Sequence, residues 1–284
     1  MRGFLMFLIP LVLIFSIVFA IYWGSMRWLK VSTHILYFDD LPEHLEGLRI
    51  LHISDLHSND KERANPDIWR HVDGLDFDIA AITGDIILGQ AWNHSGPILE
   101  LEPQRLYLEA LAARVPTFFV EGNHEAHHYR QMLQFMDEVG IAFLRNEVVI
   151  LEVNGGPFEI IGTKDFSNLR RAGFDDFYEL FDDVSDNFQL VLTHQPQLFD
   201  RFKDSGANLT LAGHTHGGQL RLPFFPTIYA PNQGLWPRYG AGLYRHGDAV
   251  MHVSRGIGTT YFPIRFWNRP EIAVIELRSG SGQR

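Results

Sequence analysis

The segment Ala212-Gly213-His214-Thr215-His216-Gly217-Gly218-Gln219 puts two imidazoles two residues apart, just after the apolar run Leu209-Thr210-Leu211-Ala212. Side chains at i and i+2 of an extended segment project to the same side, so His214 and His216 can converge on one point. Gly213, Gly217 and Gly218 let the backbone turn sharply and approach a ligand closely. Imidazoles so placed suit metal binding. An isolated H-x-H is more often a pair of polar loop histidines, so its meaning depends on the company it keeps.

That company is Asp55-Leu56-His57, Gly84-Asp85, Gly122-Asn123-His124-Glu125 and His194-Gln195-Pro196, each directly after an apolar run. The chain has no cysteine, which excludes disulfides, thiolate zinc sites and thiol nucleophiles. A metal would therefore be held by imidazole, carboxylate and amide groups. Seven candidate ligands exceed the three or four that one tetrahedral ion takes. They suit two ions with a bridging carboxylate. Such a pair, ~3.5–4 Å apart, clamps an in-line displacement at phosphorus, lowers the pKa of water and neutralises developing charge.

These residues need strands to position them, and the pattern supplies strands. Residues 48–54, 77–83, 117–120, 188–193 and 209–212 are short apolar runs ending at the polar groups above, and 249–253 and 271–277 follow later. Helical spacing occupies 104–113 and 129–139, the latter stopping at Gly140, and a further helix is expected over 196–203. Asn154-Gly155-Gly156-Pro157 separates two runs, 148–153 and 158–161, as a hairpin. Alternating strand and helix predicts an α/β fold with buried sheets, and sites in such folds lie beyond the C-terminal strand ends. His52 is expected in a strand as a satisfied core or partner-facing histidine, and His127 and His128 as solvated residues at a helix start, either of which could border the site.

The 284 residues suffice for one large domain, and 46% apolar with 20% charged residues is a globular composition. A net charge of −10 argues against a nucleic-acid partner. No obligate protein partner is evident. Residues 4–23 carry no charge, and a helix of that length spans roughly 30 Å, the thickness of a bilayer's hydrocarbon core. Tyr22, Trp23, Arg27, Trp28 and Lys30 follow as interfacial anchors. A retained anchor over residues 1–30 is favoured over a cleaved signal peptide, because the apolar run continues past Val18-Phe19-Ala20. A linker or leading strand over 31–46 and a catalytic domain over 47–278 complete the expected organisation.

Taken in order, Asp55-x-His57, Gly84-Asp85, Gly122-Asn123-His124-Glu125, His194 and Gly213-His214-x-His216 resemble the motif set of the calcineurin-like metallophosphoesterases. The surroundings of His194 and His216 resemble a membrane-associated bacterial branch, some of whose members are similar to UDP-diacylglucosamine pyrophosphatases. The resemblance implies a four-layer α/β/β/α sandwich preceded by one transmembrane helix. It implies a first ion held by Asp55, His57 and His216, and a second held by Asn123, His194 and His214. Asp85 would bridge the two, and His124 would serve as general acid near the leaving group. Manganese is the expected metal, with iron or zinc as alternatives. The sequence departs from many relatives after Gly84-Asp85, where Ile86-Ile87-Leu88 replaces a second acidic residue.

The expected enzyme is thus an inner-membrane, single-pass phosphoesterase cleaving a phosphodiester or pyrophosphate, with a lipid-linked nucleotide such as UDP-2,3-diacylglucosamine as substrate. The side of the membrane is left open by the balanced flanking charge. One alternative is a broad cell-envelope phosphodiesterase acting on soluble or wall-derived phosphates. A second is a metal-binding structural or sensor protein. A third is a zinc protease, since His124-Glu125-Ala126-His127-His128 also fits H-E-x-x-H. The aromatic segment 222–246, with Phe224, Phe225, Tyr229, Leu235, Trp236 and Tyr239, is expected either to cover a sheet edge or to form a surface that dips into the bilayer or receives acyl chains beside the metal site. So is the stretch 261–267, with Arg238, Arg255 or Arg265 meeting phosphate.

Overall fold

Side chains along a strand alternate between faces, and here that alternation sorts the apolar residues into three cores. The computed structural model describes residues 2–58, 66–88, 99–166, 175–181, 185–222, 227–259 and 264–280. Phe224, Phe225 and 261–263 lie outside these. The first part of the chain forms helix α1 (Arg2–Arg27), strands β1 (Lys30–Phe38) and β2 (Arg49–Ile53), α2 (Pro66–Asp73) and β3 (Ile79–Ile82). Next come α3 (Arg105–Arg114), β4 (Thr117–Phe119), α4 (Tyr129–Glu138) and β5 (Ala142–Phe143). The second part forms β6 (Glu147–Val153), β7 (Gly156–Gly162), α5 (Asp175–Tyr178), β8 (Gln189–Leu192), α6 (Phe199–Phe202) and β9 (Leu209–Ala212). It ends with the short hairpin β10 (Tyr229–Ala230) and β11 (Gly234–Leu235), then β12 (Gly242–His246), β13 (Ala249–Val253) and β14 (Glu271–Ser279).

Two six-stranded sheets result, ordered β1-β14-β2-β3-β4-β5 and β12-β13-β9-β8-β7-β6. In the first, only β14 and β2 run antiparallel. In the second, the outer pairs β12–β13 and β6–β7 are antiparallel and the centre is parallel. Ile50, Ile79, Ala81, Ala273 and Ile275 of the first sheet meet Phe158, Ile160, Leu190, Leu192, Leu209 and Val250 of the second. The alternate residues Leu51, Ile53, Ala80, Ile82 and Val274 face outward onto Trp69, Leu108, Leu111, Met132 and Met136 of α2–α4. On the other flank Val191, Ala212 and Val253 meet Phe177, Phe199 and Phe202 of α5 and α6. Helices, sheet, sheet and helices are the four layers expected.

His52 lies in β2 at a position that faces between the sheets, fully buried. Its Nδ1 is 2.9 Å from Nδ1 of His252, and its Nε2 is 2.8 Å from the Thr83 hydroxyl. His34 packs on His252 with ring centroids 4.9 Å apart. These imidazoles form a polar seam in an otherwise apolar interface.

Residues Ile9–Arg27 of α1 are long and apolar enough to cross a membrane, with few of their side chains covered by the rest of the chain. Such a helix near an N-terminus is a membrane span or a signal sequence. Ser16 returns its hydroxyl to the Val12 carbonyl within the helix (2.8 Å), so that donor is met inside the helix itself. The last turn docks on the domain, with Ser25 buried. Arg269 donates to the carbonyls of Trp28 and Leu29 (2.8 and 3.0 Å), and the Lys30 N–H reaches Pro270 O (2.8 Å). From there β1 pairs with β14 through nine residues in unbroken parallel register, so residues 31–46 begin as a strand.

Candidate active site

Strands β2, β3, β4, β8 and β9 each run out into a loop bearing one of the expected groups, and those loops converge. His57 Nε2 lies 2.9 Å from His216 Nε2, and His216 Nε2 lies 3.3 Å from Asp55 Oδ1. His194 Nε2 lies 3.1 Å from both Asp85 Oδ2 and His214 Nδ1. Asp85 Oδ2 is also 3.8 Å from Nε2 of His57 and of His124. Among the described residues three overlapping nests of donor atoms could hold a metal, Asp55/His57/His216, His57/Asp85/His124 and Asp85/His194/His214, and Asp85 links the first to the last through the shared middle nest. Asn123 sits beside them between Gly122 and His124, and its Oδ1 is buried without a partner. That is the environment of an amide oxygen awaiting a cation.

The backbone makes this convergence possible at a cost. Asp55, His57, Asp85, His214 and His216 all have φ between 48° and 70°. Non-glycine residues held there cost on the order of 1–3 kcal/mol each and persist where the surroundings enforce them. Gly122 and Gly213 allow the loops to close up. A Cβ on Gly122 would collide with Asp85 Oδ1, and one on Gly213 with the hydroxyl of Ser54.

A shell of hydrogen bonds aims the donors. His194 Nδ1 donates to the Thr83 carbonyl (2.7 Å), which turns Nε2 toward Asp85. The Ser54 hydroxyl donates to Asp55 Oδ2 (2.6 Å), and the His214 N–H to the same carboxylate (3.1 Å). Glu125, fully buried, accepts the N–H groups of Asp85 (2.8 Å), Ile87 (3.1 Å) and Gly122 (2.8 Å), tying the β3 and β4 loops together. Asn232 places its amide 3.2 Å from His214 Nε2. Sequence reasoning missed the roles of Glu125 and Asn232. Glu125 was visible within G-N-H-E, whereas no spacing singled out Asn232.

Electrostatics follow from dense burial. Burial drives His57 and His214 down to about 3, keeping the rings neutral as ligation requires. Burial also holds His216 well below the usual imidazole range, with His57 beside it adding to the effect. Burial lifts the Asp55 carboxyl to about 6 and Glu125 to about 8, the latter helped by the charge of Asp85. Burial opposes protonating His194, but the adjoining Asp85 carboxylate outweighs it and pushes that ring up to about 10. His194 and His124 in turn hold Asp85 well below the usual carboxylate range despite its burial. The His124 side chain is 12% exposed against 0–2% for His57, His194 and His216, so it lines the mouth.

Some expectations need correction. His128 is buried, not solvated. Neither His124 nor His128 lies in α4, which begins at Tyr129, so the two histidines of a zinc-protease helix are not formed. Arg265 is fully buried, donating to the carbonyls of Gly258 and Arg255 with Nη2 3.3 Å from His216 Nδ1; it braces a loop and cannot meet substrate. Arg238 is paired with Asp200 (2.8 Å), and Arg255 reaches toward Glu271 (3.8 Å). Tyr239 is buried, whereas Tyr229, Leu235 and Trp236 are exposed.

The calcineurin-like phosphoesterase family model matches residues 48–218, which include every candidate metal ligand and His124. The chain is 29% identical over 269 residues to the uncharacterized metallophosphoesterase YkuE of Bacillus subtilis, covering 90% of each. It is 30% identical over 245 residues to YkoQ of the same organism, 84% of this chain and 86% of that one. It is 28% identical over 266 residues to phosphodiesterase YaeI of Escherichia coli, 88% of each. Among solved structures, a dimetal phosphatase from Danio rerio superposes with a TM-score of 0.50 at 12% identity, over 82% of this chain and 93% of that one, a likeness of fold. The order of the motifs, the shared carboxylate and these matches agree: the chain belongs to the calcineurin-like phosphoesterases and is a metal-dependent phosphoric ester hydrolase.

Proposed function

We propose that the protein is a membrane-anchored phosphoesterase with a dinuclear centre, hydrolysing a phosphodiester or pyrophosphate bond in a lipid-linked substrate such as UDP-2,3-diacylglucosamine. The observation that carries this is the Asp85 carboxylate linking the two outer donor nests. Asp55, His57 and His216 would hold one ion and Asn123, His194 and His214 the other, with Asp85 shared between them. The donors fit divalent manganese, iron or zinc: imidazoles, of which His57 and His214 are held neutral by burial, carboxylates and the orphaned amide oxygen of Asn123. When bound, the ions supply Lewis-acid activation of water and of the phosphoryl group.

The chain's own residues do the rest. The left-handed loops fix the donors before substrate arrives, which removes reorganisation from the reaction step. The His124 imidazole, at the mouth, delivers a proton to the leaving oxygen. The apolar α1 and the exposed Trp28, Tyr229, Leu235, Trp236 and Trp267 support a site that works against a bilayer, with acyl chains remaining in the lipid.

Hydrolysis of UDP-2,3-diacylglucosamine in mixed micelles, compared with bis(p-nitrophenyl) phosphate in manganese, tests this reading. A kcat/KM for the acylated substrate at least a hundredfold higher is expected. Equal or lower efficiency with the lipid would favour a broad phosphodiesterase on soluble phosphates and sink the substrate assignment.

A further inference from the structure

A cavity of about 150 Å³ lies behind His57, between the metal nests and the foot of α1. Its volume is several times the ~30 Å³ a water molecule occupies in the liquid. Arg27 and Leu29 wall it on the α1 side, Ile68 on the α2 side, and His57, Ser58 and Gln104 form the polar wall.

Every polar side chain in that wall offers a hydrogen. His57 turns Nε2 toward His216 and Asp85, so with a metal there the ring proton sits on Nδ1. That Nδ1 is buried and has no partner, although metal-binding histidines almost always donate their second nitrogen to an acceptor. The Ser58 hydroxyl is also buried and unpartnered. Gln104 accepts from Trp69 Nε1 through Oε1 (2.8 Å), and indole can only donate, so the amide orientation is fixed with its NH₂ still to donate. Among the described residues of the lining Arg27 is the one that carries a charge, its guanidinium 4.6 Å over the Trp23 ring, and none of them is a carboxylate. An imidazole N–H, a hydroxyl, an amide NH₂ and a guanidinium without an acceptor make an oxyanion site.

We infer that this cavity binds a phosphate-ester oxyanion that is not hydrolysed, the headgroup phosphate of a membrane lipid at the end of α1, and that its oxygen completes the hydrogen bonding of His57. The inference rests on His57 as a metal ligand and is independent of which substrate is cleaved. By linkage, an occupied cavity tightens the hold of His57 on its ion, and the ion tightens the cavity.

The full chain in non-ionic detergent, stripped of metal, is titrated with phosphatidylglycerol, neutral diacylglycerol and inorganic phosphate, with bound species counted by native mass spectrometry. One phosphatidylglycerol is expected per chain, displaced by millimolar phosphate, with diacylglycerol not retained. Ser58→Ala should weaken binding at least fivefold. Gln104→Glu keeps the acceptor for Trp69 but adds negative charge, and should abolish binding with an unchanged circular-dichroism melt. Phosphatidylglycerol should also tighten the first manganese at least twofold in the unsubstituted chain and not in Gln104→Glu. Retention of phosphatidylglycerol by both variants, or equal retention of diacylglycerol, overturns the site. Variant-sensitive binding of inorganic phosphate without lipid binding overturns the membrane source and leaves a soluble phosphate as the ligand.

Discussion

Asp85 Oδ2 stands 3.1 Å from His194 Nε2, and the two groups shift each other's protonation in opposite directions. The same oxygen reaches toward the other nest through His57 at 3.8 Å. Asp85→Asn should therefore strip both ions, whereas His216→Ala should lose one and retain the other. Metal counted by plasma mass spectrometry separates these outcomes. An Asp85→Asn protein that keeps one full equivalent would show that the carboxylate does not bridge.

His124 is expected to behave differently from its neighbours. His124→Ala should lower kcat by roughly 10²–10⁴-fold, the usual share of general acid–base catalysis. Both ions should stay bound. The loss should shrink for substrates with a good leaving group such as p-nitrophenolate, which needs little protonation. An equal loss for poor and good leaving groups would remove the proton-donor role.

Glu125 predicts a stability effect rather than a chemical one. Replacing it by alanine leaves three buried N–H groups without an acceptor. Each such group costs about 1–3 kcal/mol, not additively. Glu125→Ala should lower the thermal midpoint by several degrees and weaken metal binding. Glu125→Gln should recover part of the loss, because its oxygen can accept from Asp85 and Gly122 while its NH₂ would face the Ile87 N–H. Full recovery by Gln would mean that the carboxylate's second oxygen is dispensable.

The seam of His34, His52 and His252 makes a pH prediction free of the metals. Burial pushes all three below 6.5, His252 to about 3 and His52 further than His34. The unfolded chain takes up protons as pH falls through 6.5, and the folded seam does not. For His252 the resulting contribution to stability is complete above pH 6.5 and is lost between 6.5 and about 3, at ~1.4 kcal/mol per pH unit, and His52 and His34 act in the same direction. Urea unfolding from pH 7 to 4.5 should show that slope, and His252→Gln should reduce it by about one proton. An unchanged slope would place His252 in contact with solvent.

The sequence revealed the parts of the site that depend on residue type next to a strand end. Asp55, Asp85, His194 and His214 each follow a short apolar run, and the alternation in Ile50/Leu51 or Ala80/Ala81 already implies a sheet covered on both faces. It did not reveal contacts made across the fold. Asn232 meets His214 from a segment without periodicity, and Arg265 looks like a phosphate ligand until its burial against Gly258 and Arg255 is seen. His128 reads as a polar helix start because burial there is imposed by packing around α4, which local spacing does not report.

Only Trp28 and Leu29 separate α1 from β1, and Arg269 grips the carbonyls of both. With β1 then zipped along β14, the hydrolase head has no swivel. On the proposed membrane-anchored reading, the mouth beside His124 inherits whatever tilt the helix adopts in a bilayer. A flexible spacer inserted after Arg27 would turn a fixed nozzle into a tethered float, and processing at the lipid surface would slow while small soluble esters were cleaved as before.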